Sequence, residues 1–92
     1  MKESDIRKQI MDYLALRGVV AWLSHDGWHR PSAIGVPDIL GILKGGRFLA
    51  IEVKRPGERT TQAQAEFAAR ISEAGGLVLL ANGIEDVVGR LS

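Results

Sequence analysis

The centre of the chain constrains the fold most. Residues 38–43, Asp-Ile-Leu-Gly-Ile-Leu, and residues 48–54, Phe-Leu-Ala-Ile-Glu-Val-Lys, are two short, mostly apolar runs separated by Lys44-Gly45-Gly46-Arg47. Adjacent glycines supply the positive φ that tight turns need, so the two runs should pair as an antiparallel hairpin. Counting outward from the turn pairs Lys44 with Arg47 and Leu43 with Phe48. On that register Asp38 falls opposite Val53, next to both Glu52 and Lys54.

The flanking segments complete an α/β pattern. Ile6, Ile10 and Leu14 recur at i, i+4 and i+8, the spacing of a helix with one buried stripe, and Gly18 stops it. Val19 to Leu23 reads as a buried strand, and residues 24–37 as a loop with two Gly and two Pro. After the hairpin, Pro56 and Gly57 end the third strand. Thr60 or Thr61 can cap a second helix that runs through Phe67, Ala68 and Ile71 to Ala74, where Gly75-Gly76 terminate it. Leu77 to Ala81 is a fourth strand, and a last short helix covers Ile84 to Leu91. The order is αβββαβα. Strands three and four flank a helix and should run parallel through a right-handed crossover, giving a mixed sheet.

At 92 residues the chain is one domain, 1–92, with a thin core. About 60% of the unfolded surface is buried at such lengths, which favours a partner subunit. Hydrophobic residues make up 46% and charged residues 25%, values of a globular rather than a disordered chain. The absence of cysteine excludes disulfides and thiolate zinc sites. No apolar run approaches the ~20 residues that span a bilayer, and the N-terminus does not read as a secretory signal; no membrane association and a cytoplasmic location are therefore expected. The net charge of +1 is uninformative, but its distribution is not. Residues 44–59 sum to +3 and the remainder to −2, so positive charge gathers in one segment as a phosphate-binding surface would require. An ordinary solvated hairpin and loop would carry charge in the same way.

Two acids sit where an apolar core would prefer none. Asp38 follows Pro37 at the start of the second strand, and Glu52 interrupts an apolar third strand. Side chains alternate along a strand, so Glu52 shares a face with Lys54, while Leu49, Ile51 and Val53 share the other. Hard cations such as Mg²⁺ take oxygen ligands and keep several waters. Asp38 and Glu52 can hold such an ion, with the Val53 carbonyl as a third protein ligand, and Lys54 can position a water and offset charge developing on a phosphate. A plain Glu52–Lys54 ion pair on a solvated strand has the same spacing, and spacing alone favours it. Two helical residues shift the balance. Glu3 extends the inward stripe of the first helix, three residues before Ile6, where it can be a further ligand or simply favour the helix macrodipole. Gln64 lies on the inward stripe of the second helix, three before Phe67, where it can face the site or serve the cap, while Gln62 faces solvent.

The loop carries His25, Trp28, His29 and Arg30, nitrogen donors around an aromatic ring that suit phosphate contact and base stacking. Trp28 can equally be a surface-cluster or dimer-contact residue. Zinc is not expected at His25 and His29, which lie in a segment with Gly27 and Pro31 and have no third ligand nearby. Arg55 and Arg59, just past the third strand, are expected to contact phosphate. None of these residues promises base-edge readout, and DNA shape is the easier feature for so small a domain to recognise.

In order along the chain, Glu3, Gly35-Val36-Pro37-Asp38, Glu52-Val53-Lys54, Gln64 with Phe67 three on, and Ala74-Gly75-Gly76 resemble a stand-alone VRR-NUC domain, a branch of the PD-(D/E)XK nuclease superfamily. The resemblance spans nearly the whole chain. It departs from the pattern only in lacking a Pro two residues before Gln64, where Gln62 stands. It implies a restriction-endonuclease-like mixed β-sheet flanked by helices, and Mg²⁺- or Mn²⁺-dependent hydrolysis of DNA phosphodiesters. It implies Asp38, Glu52, the Val53 carbonyl and Glu3 as metal ligands, Lys54 as catalytic, and Gln64 as a supporting site residue. Stand-alone members resemble dimeric Holliday-junction resolvases, so a homodimer acting on branched DNA is expected. The competing readings are a nuclease-fold DNA-binding module without chemistry, and a non-enzymatic subunit whose acids form surface ion pairs. The trio Asp38, Glu52 and Lys54 argues against the first, and the placement of Glu3 and Gln64 against the second.

Overall fold

A computed structural model describes residues 1–24 and 34–91. The elements follow the expected order: α1 (Glu3–Leu16), β1 (Val20–Leu23), β2 (Ile39–Ile42), β3 (Phe48–Val53), α2 (Gln62–Glu73), β4 (Leu77–Ala81) and α3 (Ile84–Leu91). The four strands form one mixed sheet in the order β1-β2-β3-β4, antiparallel except for the parallel β3–β4 pair.

Local chemistry sets the boundaries. Glu3 and Asp5 place negative charge in the first turn of α1, and the Asp5 carboxylate accepts the Lys2 N–H at 3.2 Å. Both long helices end the same way. Gly18, at φ 73°, closes α1 with Val19 N–H donating to the Leu14 carbonyl at 2.9 Å, and Gly75, at φ 100°, closes α2 with Gly76 N–H donating to Ile71 at 2.9 Å. These left-handed closures satisfy the last carbonyls of each helix.

The core lies on one face of the sheet. Ile6, Ile10 and Leu14 of α1 and Val87 of α3 pack on Ile39, Leu49, Ile51, Val53, Leu79 and Ala81. The other face presents Val20 and Trp22 of β1, Leu40 and Ile42 of β2, Phe48, Ala50 and Glu52 of β3, and Val78 and Leu80 of β4, as the pairings dictate. Helix α2 covers only the β3–β4 side of that face. Val20 is 61% and Trp22 42% exposed, and Ile42 and Phe48 are exposed beside them. β1 is therefore a half-exposed edge strand rather than the buried strand that its apolar run suggested. An apolar run reads the same whether or not a second layer covers it.

The hairpin register differs from the expected one by a residue. Ile39 pairs with Ile51 and Ile42 with Phe48, so Asp38, just before β2, falls across from Glu52 and not from Val53. The cause is the turn. Leu43 N–H donates to the Arg47 carbonyl at 2.8 Å and Gly46 N–H to the Leu43 carbonyl at 2.9 Å, so three residues rather than two form the loop. Gly45 and Gly46, at φ 91° and 90°, make that loop possible. A one-residue shift moves a side chain to the opposite face, and here it brings Asp38 onto the face of Glu52.

Candidate metal and phosphodiester site

The site forms where the N-terminal end of β2 meets the C-terminal end of β3. Pro37 is buried and leads into Asp38, whose Oδ2 accepts the backbone N–H of Val53 at 2.8 Å. This bond ties the acid to β3, which carries Glu52 and is followed directly by Lys54, both of which are only 9% exposed. Lys54 is further fixed through its backbone: its N–H donates to the Ala81 carbonyl at 2.9 Å, and its carbonyl accepts from Asn82 Nδ2 at 2.9 Å.

The electrostatics reflect crowded carboxylates. Burial pushes the Glu52 carboxyl up to about 8, reinforced by its hydrogen bond with Asp38 and by the Asp38 charge, and only partly opposed by Lys54. Glu3 arrives from the start of α1, half-buried and 3.9 Å from the Arg7 guanidinium. Its carboxyl is raised chiefly by a hydrogen bond with Glu58, then by burial and by the charges of Glu58 and Asp38. Glu58 is lowered in turn, first by that contact and then by the Arg55 backbone N–H. Four carboxyl groups on four segments thus sense one another. Among the described residues, no group of three or more His, Asp or Glu side chains is arranged to hold a metal ion on its own.

Gln64 occupies both of the positions open to it. Its Oε1 accepts the Thr61 N–H at 2.9 Å while its own N–H donates to Thr61 Oγ1 at 3.1 Å, a reciprocal cap that identifies Thr61 rather than Thr60 as the helix start. It also lines a cavity of about 70 Å³ together with Glu52, Pro37, Thr60 and Ala68. Gln62 bonds Glu66 on the exposed side, as expected. Gly35 sets the spacing. It sits at φ +89°, and a methyl group on it would lie 2.4 Å from the Ala63 carbonyl oxygen, so the approach to Asp38 is pressed directly against the first turn of α2.

One expectation about charge changes. Lys44 lies in the hairpin loop and Arg47 directly after it, and a six-residue strand, roughly 20 Å, separates them from the site. Arg47 Nε instead donates to the Gly75 carbonyl at 3.0 Å. The basic segment is therefore two groups at opposite ends of β3, because a strand carries neighbours in sequence far apart. Arg55 and Arg59 are exposed at the site end. His25, Trp28, His29 and Arg30 lie outside the described residues. The residue that the sequence reading overlooked is Glu58. Its signal was the Arg55-Pro56-Gly57-Glu58 segment, a turn that folds the fourth residue back on the first.

Comparison with known proteins agrees with this fold. The family model of the VRR-NUC domain matches residues 1–85. A solved structure of a VRR_NUC domain protein superposes with a TM-score of 0.77 at 20% sequence identity, covering 99% of this chain and 85% of that one. At that identity the likeness establishes the fold. No curated protein matches.

Proposed function

This chain belongs to the VRR-NUC domain family and has its nuclease-type fold, and from that premise we propose that it is a divalent-metal-dependent DNA endonuclease. The observation that carries the reading is the partly buried Asp38 carboxyl hydrogen-bonded to the buried Glu52, with buried Lys54 two residues on from Glu52. Two facing carboxyl groups that cannot both ionise cheaply suit a hard cation. Mg²⁺ needs only one or two carboxylates from a protein because it retains several waters, so the lack of a larger ligand set does not argue against it. Asp38 and Glu52 would hold the ion, joined by the Val53 carbonyl and by Glu3 directly or through water. Mg²⁺ or Mn²⁺ there would polarise a phosphoryl oxygen and acidify a water.

The chain's own groups do the rest. Lys54, held by its neighbours Ala81 and Asn82, presents its ammonium beside Glu52 to steady the attacking water and the charge gathering on the phosphate. Gln64 supports the Glu52 side of the cavity, and Arg55 and Arg59 hold flanking phosphates. Selectivity for Holliday junctions or other branched DNA fits a domain with few groups able to read base edges. A homodimer fits the exposed apolar patch of Val20, Trp22, Ile42 and Phe48.

Linear duplex, single-stranded, flap and four-way-junction DNA incubated with Mg²⁺, Mn²⁺ or EDTA test the reading. Metal-dependent cutting lost in Asp38→Asn is expected. Cutting that persists in EDTA, or no cutting of any substrate in either metal, would overturn it.

A further inference from the structure

The peptide between Lys54 and Arg55 is gripped at both of its polar atoms by side chains from elsewhere. Asn82 Nδ2 donates to the Lys54 carbonyl at 2.9 Å, and Glu58 Oε1 accepts the Arg55 N–H at 2.7 Å. The same Glu58 oxygen also takes Arg55 Nε at 3.3 Å. The turn that delivers Glu58 is built for this. Pro56 supplies a fixed φ, Gly57 sits at φ +89°, and Glu58 N–H closes on the Arg55 carbonyl at 3.0 Å. A guanidinium has five N–H donors, and the Glu58 carboxylate engages the one on Nε, leaving the two terminal NH₂ groups uncommitted to it. The Arg55 side chain is 63% exposed, so those groups are available to a large polyanion.

We propose that Glu58 is a positioning residue: with Asn82 it clamps the Lys54–Arg55 peptide and aims the Arg55 guanidinium at a DNA phosphate flanking the one attacked. This rests on the nuclease reading for its choice of ligand. The carboxylate lends no affinity of its own, since it is a negative charge next to a polyanion. Its contribution is to fix the Arg55 fork in one orientation, the feature that distinguishes an arginine from a lysine at a phosphate.

Binding of a fluorescein-labelled four-way junction by fluorescence anisotropy in EDTA tests the clamp apart from cleavage. Arg55→Ala should weaken binding by about tenfold, as loss of one charge-assisted phosphate contact does. Glu58→Ala should weaken it several-fold. Glu58→Gln keeps the acceptor oxygen and removes the repulsive charge, so it should bind as tightly as the wild type or more so. The double variant Glu58→Ala, Arg55→Ala should bind no worse than Arg55→Ala alone. Arg55→Lys should bind nearly as poorly as Arg55→Ala, which tests the fork even if Glu58→Ala does not fold. Equal tightening in Glu58→Ala and Glu58→Gln would mean that charge alone acts and would overturn the clamp. Additive losses in the double variant, wild-type binding by Arg55→Lys, or no junction binding by the wild type would also overturn it. A protein that binds as expected but never cuts in metal sinks the nuclease reading and leaves the clamp standing.

Discussion

The Asp38 carboxylate accepts the backbone N–H of Val53 at 2.8 Å, and so takes the place of a strand partner for Val53, two residues beyond the last β2–β3 pair, Ile39–Ile51. One side chain therefore serves the sheet and the site together. Asp38→Asn keeps an acceptor oxygen and loses the charge, whereas Asp38→Ala loses both. The Asn variant should melt close to the wild type in EDTA but gain no stability from Mg²⁺ or Mn²⁺, while the Ala variant should be destabilised by about 1–3 kcal/mol even without metal. Thermal melts of the three proteins with and without metal check this. An Asn variant stabilised by metal as much as the wild type would remove Asp38 from the ligand set.

Lys54 is as buried as Glu52 but, as an ammonium with no acceptor, cannot itself ligate a cation. Lys54→Met should keep junction binding within a few-fold and lower the single-turnover cleavage rate by about 10²–10³, the usual cost of removing one preorganised charge-stabilising donor. A variant that cuts at the wild-type rate would assign Lys54 to structure alone.

The raised Glu52 carboxyl makes metal-free stability depend on pH. Its ordinary value is 4.5 and its folded value about 8, so between these the folded protein holds a proton that the unfolded chain has lost. Stability from this group is fully present below pH 4.5 and is lost as pH rises through 8. Melts in EDTA should fall across that window, and Glu52→Gln should flatten the fall. Glu3, raised, acts in the same direction, and Glu58, lowered, acts in the opposite one, so the difference between wild type and Glu52→Gln is the quantity to read. Parallel curves for the two proteins would contradict the assignment.

The double engagement of Gln64 can be split by mutation. Thr61→Ala removes the cap alone and should cost about 1 kcal/mol with the cleavage rate unchanged. Gln64→Ala should cost a similar amount and also slow cleavage, because its amide borders the cavity beside Glu52. Equal rates in the two variants, measured under single turnover, would confine Gln64 to capping.

The exposed half of the sheet gives the proposed dimer its test. Trp22→Glu should shift the protein toward monomer in sedimentation velocity without changing the fold, since Trp22 points away from the core. An unchanged sedimentation coefficient would place the subunit contact elsewhere or show that there is none.

Much of this was legible in the sequence because it rests on short-range rules. The helical stripe of Ile6, Ile10 and Leu14, the glycine stops and the alternation along Phe48–Val53 depend on neighbours a few residues apart, and all three hold. What failed depends on through-space geometry. The two glycines of the hairpin allow either a two- or a three-residue loop, and only the closed sheet decides which. That choice moved Asp38 onto the face of Glu52. The half-exposure of β1 depends on how far α2 reaches across the sheet, which no local pattern records. Glu58 was counted as one charge in a basic segment; its contact with Glu3 joins residues 55 positions apart in sequence.

Two fixed posts, Ser24 and Gly35, stand beside the candidate site. On one side Ser24 N–H donates to the Asp38 carbonyl at 2.9 Å, and on the other Gly35 is seated against Ala63 with no room for a methyl group. The first post holds the Asp38 backbone and the second seats the approach to Asp38 on α2, so the acid is fixed from two directions. Any side chain at position 35 would press on the first turn of α2 and so be felt at Asp38, three residues on.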